Sequence, residues 1–175
     1  MLIWIDLETT GLNPNEDKIL EVSVAITDDN LQEIKTFTQV AYYSETPPMN
    51  DFVRNMHSVN GLIEALPFGE PLQEISDRAI AFLEFYDIKA NTVPMCGSTV
   101  GFDRAFLKKH LPTLEAFFHY RSVDVSSIKE LVRRWYPNLG VPSIQPNKEH
   151  RGLPDILDSI AELSFYKENV FSPQK

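Results

Sequence analysis

Two carboxylates at the end of an apolar segment are the first residues that could do chemistry. Asp6 and Glu8 follow the run Leu2–Ile5 and are two residues apart, so on a β-strand both side chains would project from one face, roughly 7 Å apart. Burial and mutual repulsion would oppose their ionisation unless a cation compensated, and carboxylate oxygens suit Mg²⁺ or Mn²⁺. Alternatively, the two acids are the polar tip of a strand that leaves the core.

Two further acids and a histidine stand where we expect helices to begin. Asp103 follows a glycine-flanked loop, Asp155 follows Pro154, and His150 precedes Asp155 by five residues. The helix dipole or capping would also explain an acid in a first helical turn, and solvation alone would explain a histidine in a polar loop. Because loops and strand ends are where functional sites are assembled, these residues are candidates for a cation site with a nearby base.

Length, charge and cysteine content limit the kind of protein. The chain has 175 residues, which we interpret as one domain over residues 1–175. Its formal charge of −9 argues against a grip on long nucleic acids through many phosphate contacts, but leaves a short or metal-bridged anionic substrate open. Cys96 is the only cysteine, which excludes an intramolecular disulfide and fits a reducing compartment. The sequence lacks a signal-peptide pattern and any run of about eighteen apolar residues, so we expect a cytoplasmic protein without membrane contacts.

The residue patterns of the first forty positions predict three strands. Leu2–Ile5 begins a strand that is covered on both faces and ends at Thr10 and Gly11. Ile19–Thr27 alternates apolar and polar residues, as expected of a half-buried strand, and the threonine-rich residues 34–40 predict an antiparallel return. The first strand would therefore carry the first pair of acids.

From residue 71 onward the patterns predict helices that alternate with short strands. The expected elements are a helix from Pro71, at its first position, to Tyr86; a strand over 93–96; a helix over 103–110 ended by Pro112; a strand over 123–125; a helix opened by a Ser127–Glu130 capping box and ending at Tyr136; a loop over 139–149; and a last helix from about Pro154 to Glu168. The last helix would bury Ile156, Ile160, Leu163 and Tyr166. Strands followed by alternating helices and strands predict an α/β domain with a mixed sheet.

Three stretches around the acids resemble a known family. They are WIDLETTGL at 4–12, GFDRAFL at 101–107 and HRGLPD at 150–155, and they resemble the three exonuclease motifs of the DEDDh 3′-to-5′ exonuclease superfamily. Within that superfamily, MCGSTVG at 95–101 and AFFHYRSVDVS at 116–126 resemble the oligoribonucleases. The resemblance covers nearly the whole chain and implies a ribonuclease H-like fold, in which a mixed β-sheet is flanked by α-helices.

The resemblance implies a metal-dependent nuclease site. Asp6, Glu8, Asp103 and Asp155 would hold two divalent ions, Mg²⁺ or Mn²⁺, and His150 would be the general base that takes a proton from the attacking water. An imidazole suits this role because its reference pKa of about 6.5 lets it accept and release protons near neutrality. The implied reaction releases nucleoside 5′-monophosphates from the 3′ ends of dinucleotides and very short oligoribonucleotides.

The same resemblance implies contacts that select short single-stranded substrates. Arg121, beside Tyr120, would hold the 5′-phosphate of a dinucleotide as a positive end-stop, with Ser126 as a second candidate. The other implied contacts are the apolar wedge Leu12, the stacking aromatic Phe52, His57 at the 3′-terminal sugar, and Ser98 and Thr99. Alternatively, Phe52 belongs to the core, Arg121 to a surface ion pair and Leu12 to a turn.

Four residues depart from the pattern of the family. Pro154 stands where an acidic or other helix-compatible residue is usual, so we expect the last helix to start at or just before it and His150 to lie in a mobile loop. Ser98 replaces an asparagine and Phe102 replaces a polar residue, while Thr9 is typical of the wider proofreading family. These changes leave the substrate preference open.

Three functions stay open from the sequence. The resemblance favours a homodimeric exoribonuclease, with His119–Arg121 near the partner. Thr9 and Phe102 favour a proofreading-type 3′-to-5′ DNA exonuclease. Pro154 would suit a nucleotide-binding module whose catalysis is impaired or lost.

Overall fold

A five-stranded mixed sheet forms the centre of the computed structural model, which describes residues 1–32, 35–139 and 150–171. The strands are β1 (Leu2–Thr9), β2 (Ile19–Thr27), β3 (Lys35–Val40), β4 (Pro94–Gly97) and β5 (His119–Asp124), in the order β3-β2-β1-β4-β5. β1 pairs antiparallel with β2, and β2 with β3, whereas β4 runs parallel to β1 and β5 parallel to β4. This arrangement confirms the predicted mixed sheet and its three leading strands.

Helices cover both faces of the sheet. In the described part of the chain they are α1 (Asp51–Val59), α2 (Leu62–Ala65), α3 (Leu72–Phe85), α4 (Gly101–His110), α5 (Pro112–Phe117), α6 (Val125–Trp135) and α7 (Gly152–Tyr166). A 3₁₀ turn at Leu66–Phe68 and a π-helical turn at Lys167–Phe171 complete the elements. None of these helices combines the length and the apolar character that crossing a bilayer requires.

β1 is buried on both sides, as predicted, because different helices pack on its two faces. Ile3, Ile5 and Leu7 belong to a core shared with α3 and α4, whereas Trp4 belongs to a second core shared with α6 and α7. Successive side chains of a strand point to opposite faces. Asp6 and Glu8 therefore share the face of Trp4, which α7 covers.

The prediction of a half-buried β2 was wrong, because all nine of its residues are buried. α7 packs against both β1 and β2 and covers the face that carries the polar residues. These residues have polar partners instead of water: Ser23 bonds to Thr38 at 3.0 Å, and Thr27 accepts a hydrogen bond from the Trp4 indole at 3.1 Å. Alternation predicted the two faces of β2 correctly but could not reveal the helix that covers the polar one.

Several predicted helix boundaries differ from the structure. Pro71 is the N-cap of α3 rather than its first residue, and Pro112 ends α4 but also begins α5, which the sequence patterns did not predict. The predicted Ser127–Glu130 capping box was wrong. α6 begins at Val125, so Ser127 lies within the helix, where its hydroxyl donates to the Asp124 carboxylate.

The last helix agrees well with its prediction. α7 begins two residues before Pro154 and buries Ile156 and Ile160, as well as Leu163 and Tyr166. Pro154 lies in the first turn, where a missing amide hydrogen costs no helical hydrogen bond. Of the predicted loop over 139–149, residues 140–149 lie outside the described residues, as does Ile34 at the predicted start of the third strand.

Candidate active site

Three carboxylates from two elements meet on the α7 side of the sheet. One ligand oxygen from each of Asp6, Glu8 and Asp155 lies within 4.8 Å of the other two. β1 supplies the first two because they are on the same face of the strand, and the first turn of α7 supplies the third. The packing of α7 on β1 thus brings together acids that are about 150 residues apart in the sequence.

Asp103 borders this cluster from the first turn of α4. Its side chain is buried, and its Oδ1 accepts a hydrogen bond from the Leu7 amide at 3.0 Å. Burial raises the pKa of Asp103 to about 7, although the Leu7 amide opposes this rise. Asp103 is not one of the three acids that lie within 4.8 Å of each other, but its charge is close enough to repel that of Asp6.

Burial makes the two acids of β1 difficult to ionise. The pKa of Asp6 lies well above its ordinary value because of burial, followed by repulsion from Asp103, Glu8 and Asp155. The pKa of Glu8 rises from 4.5 to about 8 because of burial, followed by repulsion from Asp155 and Glu21. Each of these acids would ionise more readily beside a cation.

The donor set fits hard divalent cations. Mg²⁺ and Mn²⁺ prefer carboxylate oxygens, and a bound cation would reverse the rise in pKa that burial and repulsion cause at these acids. Asp6, Glu8 and Asp155 offer such oxygens within 4.8 Å of one another, and Asp103 lies close enough to act electrostatically on Asp6. We conclude that these residues can hold divalent cations.

His150 lies beside the cluster, two residues before α7. Burial raises the pKa of Asp155 to about 6, and a nearby His150 lowers it, so the two side chains are within electrostatic reach. His150 is exposed to solvent. It can therefore exchange protons with water near the carboxylates.

His57 is fully buried behind Glu8. Its Nε2 lies 3.0 Å from the Thr9 carbonyl oxygen, which can only accept, so Nε2 carries a proton. Its Nδ1 lies 3.9 Å from Glu8 Oε2 and has no hydrogen-bond partner among the described residues. Burial lowers the pKa of His57, which favours the neutral ring. Nδ1 is then an unpartnered acceptor at the edge of the site.

An apolar pocket of about 500 Å³ opens directly beside Glu8. Leu12 and Phe52 line it and are 84% and 79% exposed. They are therefore neither a packed turn residue nor a core residue. The pocket is also lined by Thr9, Met49, Met56 and Phe102, among others.

Thr99 and Ser126 lie together at a second pocket, of about 640 Å³, between the start of α4 and α6. The Thr99 amide donates to Asp124 at 2.7 Å and to Ser126 Oγ at 3.1 Å. Lys129 and Arg134 also line this pocket, and each is paired with a glutamate: Lys129 with Glu162, and Arg134 with Glu130, which lines the pocket as well.

Four predicted substrate contacts line neither pocket: the buried His57 described above, and Ser98, Tyr120 and Arg121. Ser98 is exposed between β4 and α4. Tyr120 and Arg121 are exposed on β5, an edge strand, and the Arg121 guanidinium lies 5.6 Å from the centre of the Tyr120 ring. Within this single chain the structure does not bring this pair to the carboxylates.

Sequence reasoning missed the residues that hold His150 and the start of α7. Glu21, directly opposite Glu8 in the register of β1 and β2, is fully buried and pairs with Arg151. Asn60, at the end of α1, donates to the His150 carbonyl oxygen at 2.6 Å. The only signal in the sequence was an acid on the polar face of a strand, which alternation alone does not distinguish from a solvated residue.

Comparison with known proteins places this chain in a family. A family model described as Exonuclease matches residues 3–163. The oligoribonuclease of Leifsonia xyli subsp. xyli is 42% identical over 173 residues, which are 97% of this chain and 84% of that protein. The oligoribonuclease of Shewanella loihica is 42% identical over 176 residues, covering 97% and 95% of the two chains.

Solved structures show the same fold at much lower identity. Escherichia coli exonuclease I, solved with a dA16 oligonucleotide, matches with a TM-score of 0.74 and 13% identity over 97% of this chain. Exonuclease I from Methylocaldum szegediense matches with a TM-score of 0.73 and 17% identity over 98% of this chain. This chain spans only 41% of either exonuclease I, and the likeness shows a ribonuclease H-like fold. The family model and the two relatives at 42% identity show that the chain, which also has this fold, belongs to the oligoribonuclease family of 3′-to-5′ exonucleases.

Proposed function

We propose that this chain is a metal-dependent 3′-to-5′ exoribonuclease that degrades dinucleotides and very short oligoribonucleotides to nucleoside 5′-monophosphates. The observation that carries the proposal is the cluster of Asp6, Glu8 and Asp155 beside a pocket with an exposed aromatic side chain. The carboxylate cluster offers a cation site for hydrolysis, and the pocket offers a place for a nucleoside. The relatives named oligoribonucleases support RNA as the substrate.

The four acids would hold two divalent ions, Mg²⁺ or Mn²⁺, with Asp103 contributing from α4. Bound cations supply charge stabilisation at a phosphodiester and lower the pKa of a coordinated water. Their charge would also reduce the repulsion among the acids that raises the pKa of Asp6 and Glu8. An acidic protein could then receive a negatively charged substrate.

His150 would act as the general base. Its proximity to Asp155 and its exposure support this role, since it can accept a proton near the acids and pass it to solvent. As His150 takes the proton, the water oxygen bonds to phosphorus, and the bond from phosphorus to the 3′-oxygen of the preceding nucleotide breaks. That oxygen then takes up a proton, and a nucleoside 5′-monophosphate leaves.

The apolar pocket would receive the bases of the substrate. Phe52 offers a π-face on which any base can stack, and Leu12 offers an apolar side chain that can insert between two bases. His57 would contact the 3′-terminal sugar; because its ring is fully buried, with Nδ1 3.9 Å from Glu8 Oε2, this contact requires Glu8 to move when the substrate binds. This pocket would therefore bind a terminal nucleotide with little base preference.

An end-stop at the 5′ side would restrict the substrate to short lengths. Thr99 and Ser126, which lie together at the second pocket, would contact the 5′-phosphate through their hydroxyl groups, with Ser98 close by. Arg121 and Tyr120 would reach a substrate from the edge strand β5, where they are exposed. A homodimer formed through this edge would bring the pair of one protomer towards the site of the other.

A substrate-length series tests the proposed function. We expect the purified protein with Mn²⁺ to cleave 5′-phosphorylated RNA dinucleotides faster than RNA 10-mers or single-stranded DNA. Faster decay of the long DNA would instead support a proofreading-type DNA exonuclease, the alternative that Thr9 and Phe102 in the pocket favour.

Asp6→Asn is the matched control for this series. It keeps the shape of the side chain but removes a charge from the cluster, so cleavage of the dinucleotide should be lost. Binding of dinucleotide without any cleavage by the wild type would support a catalytically impaired nucleotide-binding module. An unchanged rate in the variant would trace the activity to a contaminant.

A further inference from the structure

The backbone of His150 has a conformation that needs support from the rest of the fold. Its φ angle is +42°, in the left-handed region that residues with a Cβ rarely occupy. Its side chain is exposed, so burial of the imidazole does not hold it. Contacts to the backbone around His150 therefore fix the position from which the imidazole projects.

Asn60 makes one such contact from the far side of the site. Its Nδ2 donates to the His150 carbonyl oxygen at 2.6 Å, and its Oδ1 accepts from the Leu62 amide at 3.0 Å. The second bond fixes the amide group between α1 and α2. Asn60 is thus an oriented donor aimed at the residue that would act as the base.

Arg151 makes the second contact, to a carboxylate that is completely buried. Its Nε donates to both oxygens of Glu21, at 3.2 and 3.0 Å, and its Nη1 donates to the Asn60 carbonyl oxygen at 3.3 Å. Glu21 also accepts from the Gly152 amide at 3.1 Å. His150 is thereby tied to the end of α1 through Asn60, and Arg151 is tied to β2 through Glu21 and to the end of α1 through Asn60.

We propose that Asn60, Glu21 and Arg151 form a latch that positions His150 for catalysis. The inference rests on the proposed function, in which His150 is the general base. A proton acceptor works only at hydrogen-bond distance from the proton it abstracts, so a small displacement slows the chemical step much more than it weakens binding. Asn60 and its partners act through His150 and need not touch the substrate.

A double-mutant cycle between Asn60 and His150 tests the latch. Asn60→Asp keeps the acceptor for Leu62 but removes the donor to His150. We expect it to lower kcat on a 5′-phosphorylated RNA dinucleotide by about 10²-fold, the loss typical of a misplaced catalytic group, with KM nearly unchanged. In the His150→Ala background the same substitution should change kcat by less than about twofold, because the group that it positions is gone.

Asn169→Ala is the matched control for the first arm. Asn169 Nδ2 donates to the Phe165 carbonyl oxygen at 2.9 Å at the far end of α7, so its loss removes the same kind of bond away from the site. It should leave kcat unchanged. If Asn60→Asp reduces the unfolding temperature strongly, Arg151→Lys repeats the test, since lysine keeps the charge but loses the forked contact with Glu21.

The outcomes separate the latch from the proposed function. An Asn60→Asp enzyme as fast as the wild type, or one slowed equally with and without His150, overturns the latch while the general base stands. A His150→Ala enzyme as fast as the wild type, or a wild type that cleaves no dinucleotide, overturns the proposed function and the latch with it.

Discussion

Ionisation of the Glu8 side chain opposes folding. Burial and the nearby Asp155 and Glu21 raise its pKa from 4.5 to about 8, so at neutral pH the metal-free protein holds a proton that the unfolded chain releases. A cation bound beside Glu8 favours the ionised form in the folded state. Metal binding at the cluster would therefore be coupled to folding stability through this residue.

We expect the metal-free protein to lose stability as the pH rises from about 4.5 to about 8. In this window the unfolded chain binds fewer protons at this position than the folded chain, so rising pH favours unfolding. The measurement is the unfolding temperature in EDTA across this range, with and without excess Mn²⁺. Excess Mn²⁺ should make the fall in unfolding temperature over this pH range smaller.

Two variants assign this pH effect to its source. Without metal, the unfolding temperature of Glu8→Gln should fall less steeply with pH than that of the wild type. Glu16→Gln, at an exposed position, should leave this dependence unchanged. A metal-free fall of equal size in wild type and Glu8→Gln would refute the assignment.

Phe52→Ala should weaken substrate binding without harming the fold. Because Phe52 is 79% exposed, its removal leaves no cavity, but it deletes the stacking surface beside Glu8. Stacking on an aromatic side chain is worth about 1–3 kcal/mol per base, so KM for a dinucleotide should rise about tenfold. Steady-state kinetics measure this, and Phe68→Ala, also exposed, is the control. Equal KM values in the two variants would rule out a substrate contact at Phe52.

At the scale of elements, the site depends on how closely the start of α7 approaches β1 and β2. A Cβ on Gly152 would lie 2.6 Å from Ser23 Oγ and 3.3 Å from the Asp6 carbonyl oxygen. A side chain there would push α7 away from the sheet. Glycine at this position therefore lets Asp155 come within reach of the acids on β1.

Gly152→Ala should damage stability and activity together. Overpacking of this kind costs about 1–3 kcal/mol, and here it would also move His150 and Asp155 away from β1. Urea unfolding and dinucleotide cleavage measure the two effects. Gly101→Ala is the control, because a Cβ on Gly101 would meet nothing within 4 Å. A fully active Gly152→Ala enzyme would contradict the close approach.

The strands and the last helix were predictable because their periodicity is local. The apolar run before Asp6 and the spacing of Ile156 and Ile160 are visible in short windows of sequence. The capping box at Ser127 failed because α6 already begins at Val125, and the Ser127 hydroxyl donates to the Asp124 carboxylate, which also accepts from the Thr99 amide 25 residues earlier. Contacts over such distances leave no pattern in a short window.

At the scale of the whole molecule, the edge strand β5 and the adjacent helix α6 expose aromatic and aliphatic side chains. Tyr120 is 76% exposed and Trp135 is 67% exposed, and Leu131 lies one turn before Trp135 on the same helix. An edge strand also offers unpaired backbone groups to a partner. These features would suit the homodimer that the family resemblance implies and that we propose.

The proposed homodimer predicts that Trp135→Glu gives a monomer, because this substitution places a charge in the apolar part of the proposed interface. Sedimentation velocity over a concentration series measures the change. Phe85→Glu is the control, since Phe85 is also exposed, at 79%, but lies on α3. A wild type that is monomeric throughout the series would refute the dimer.

The acids of the site were predictable from the whole chain, whereas their supports were not. Asp6, Glu8, Asp103 and Asp155 lie within ordered motifs that span most of the sequence. The partners Glu21 and Asn60 lie 130 and 90 residues from the groups that they hold, and their side-chain types also suit an exposed surface. Only the folded structure shows that both face His150 and Arg151.

Anomalous diffraction at the manganese edge tests the central claim most directly. Crystals grown with MnCl₂ and a nucleoside 5′-monophosphate should show two manganese peaks, both in contact with oxygens of the cluster of Asp6, Glu8 and Asp155. Peaks confined to other parts of the surface, with none among these carboxylates, would contradict the account.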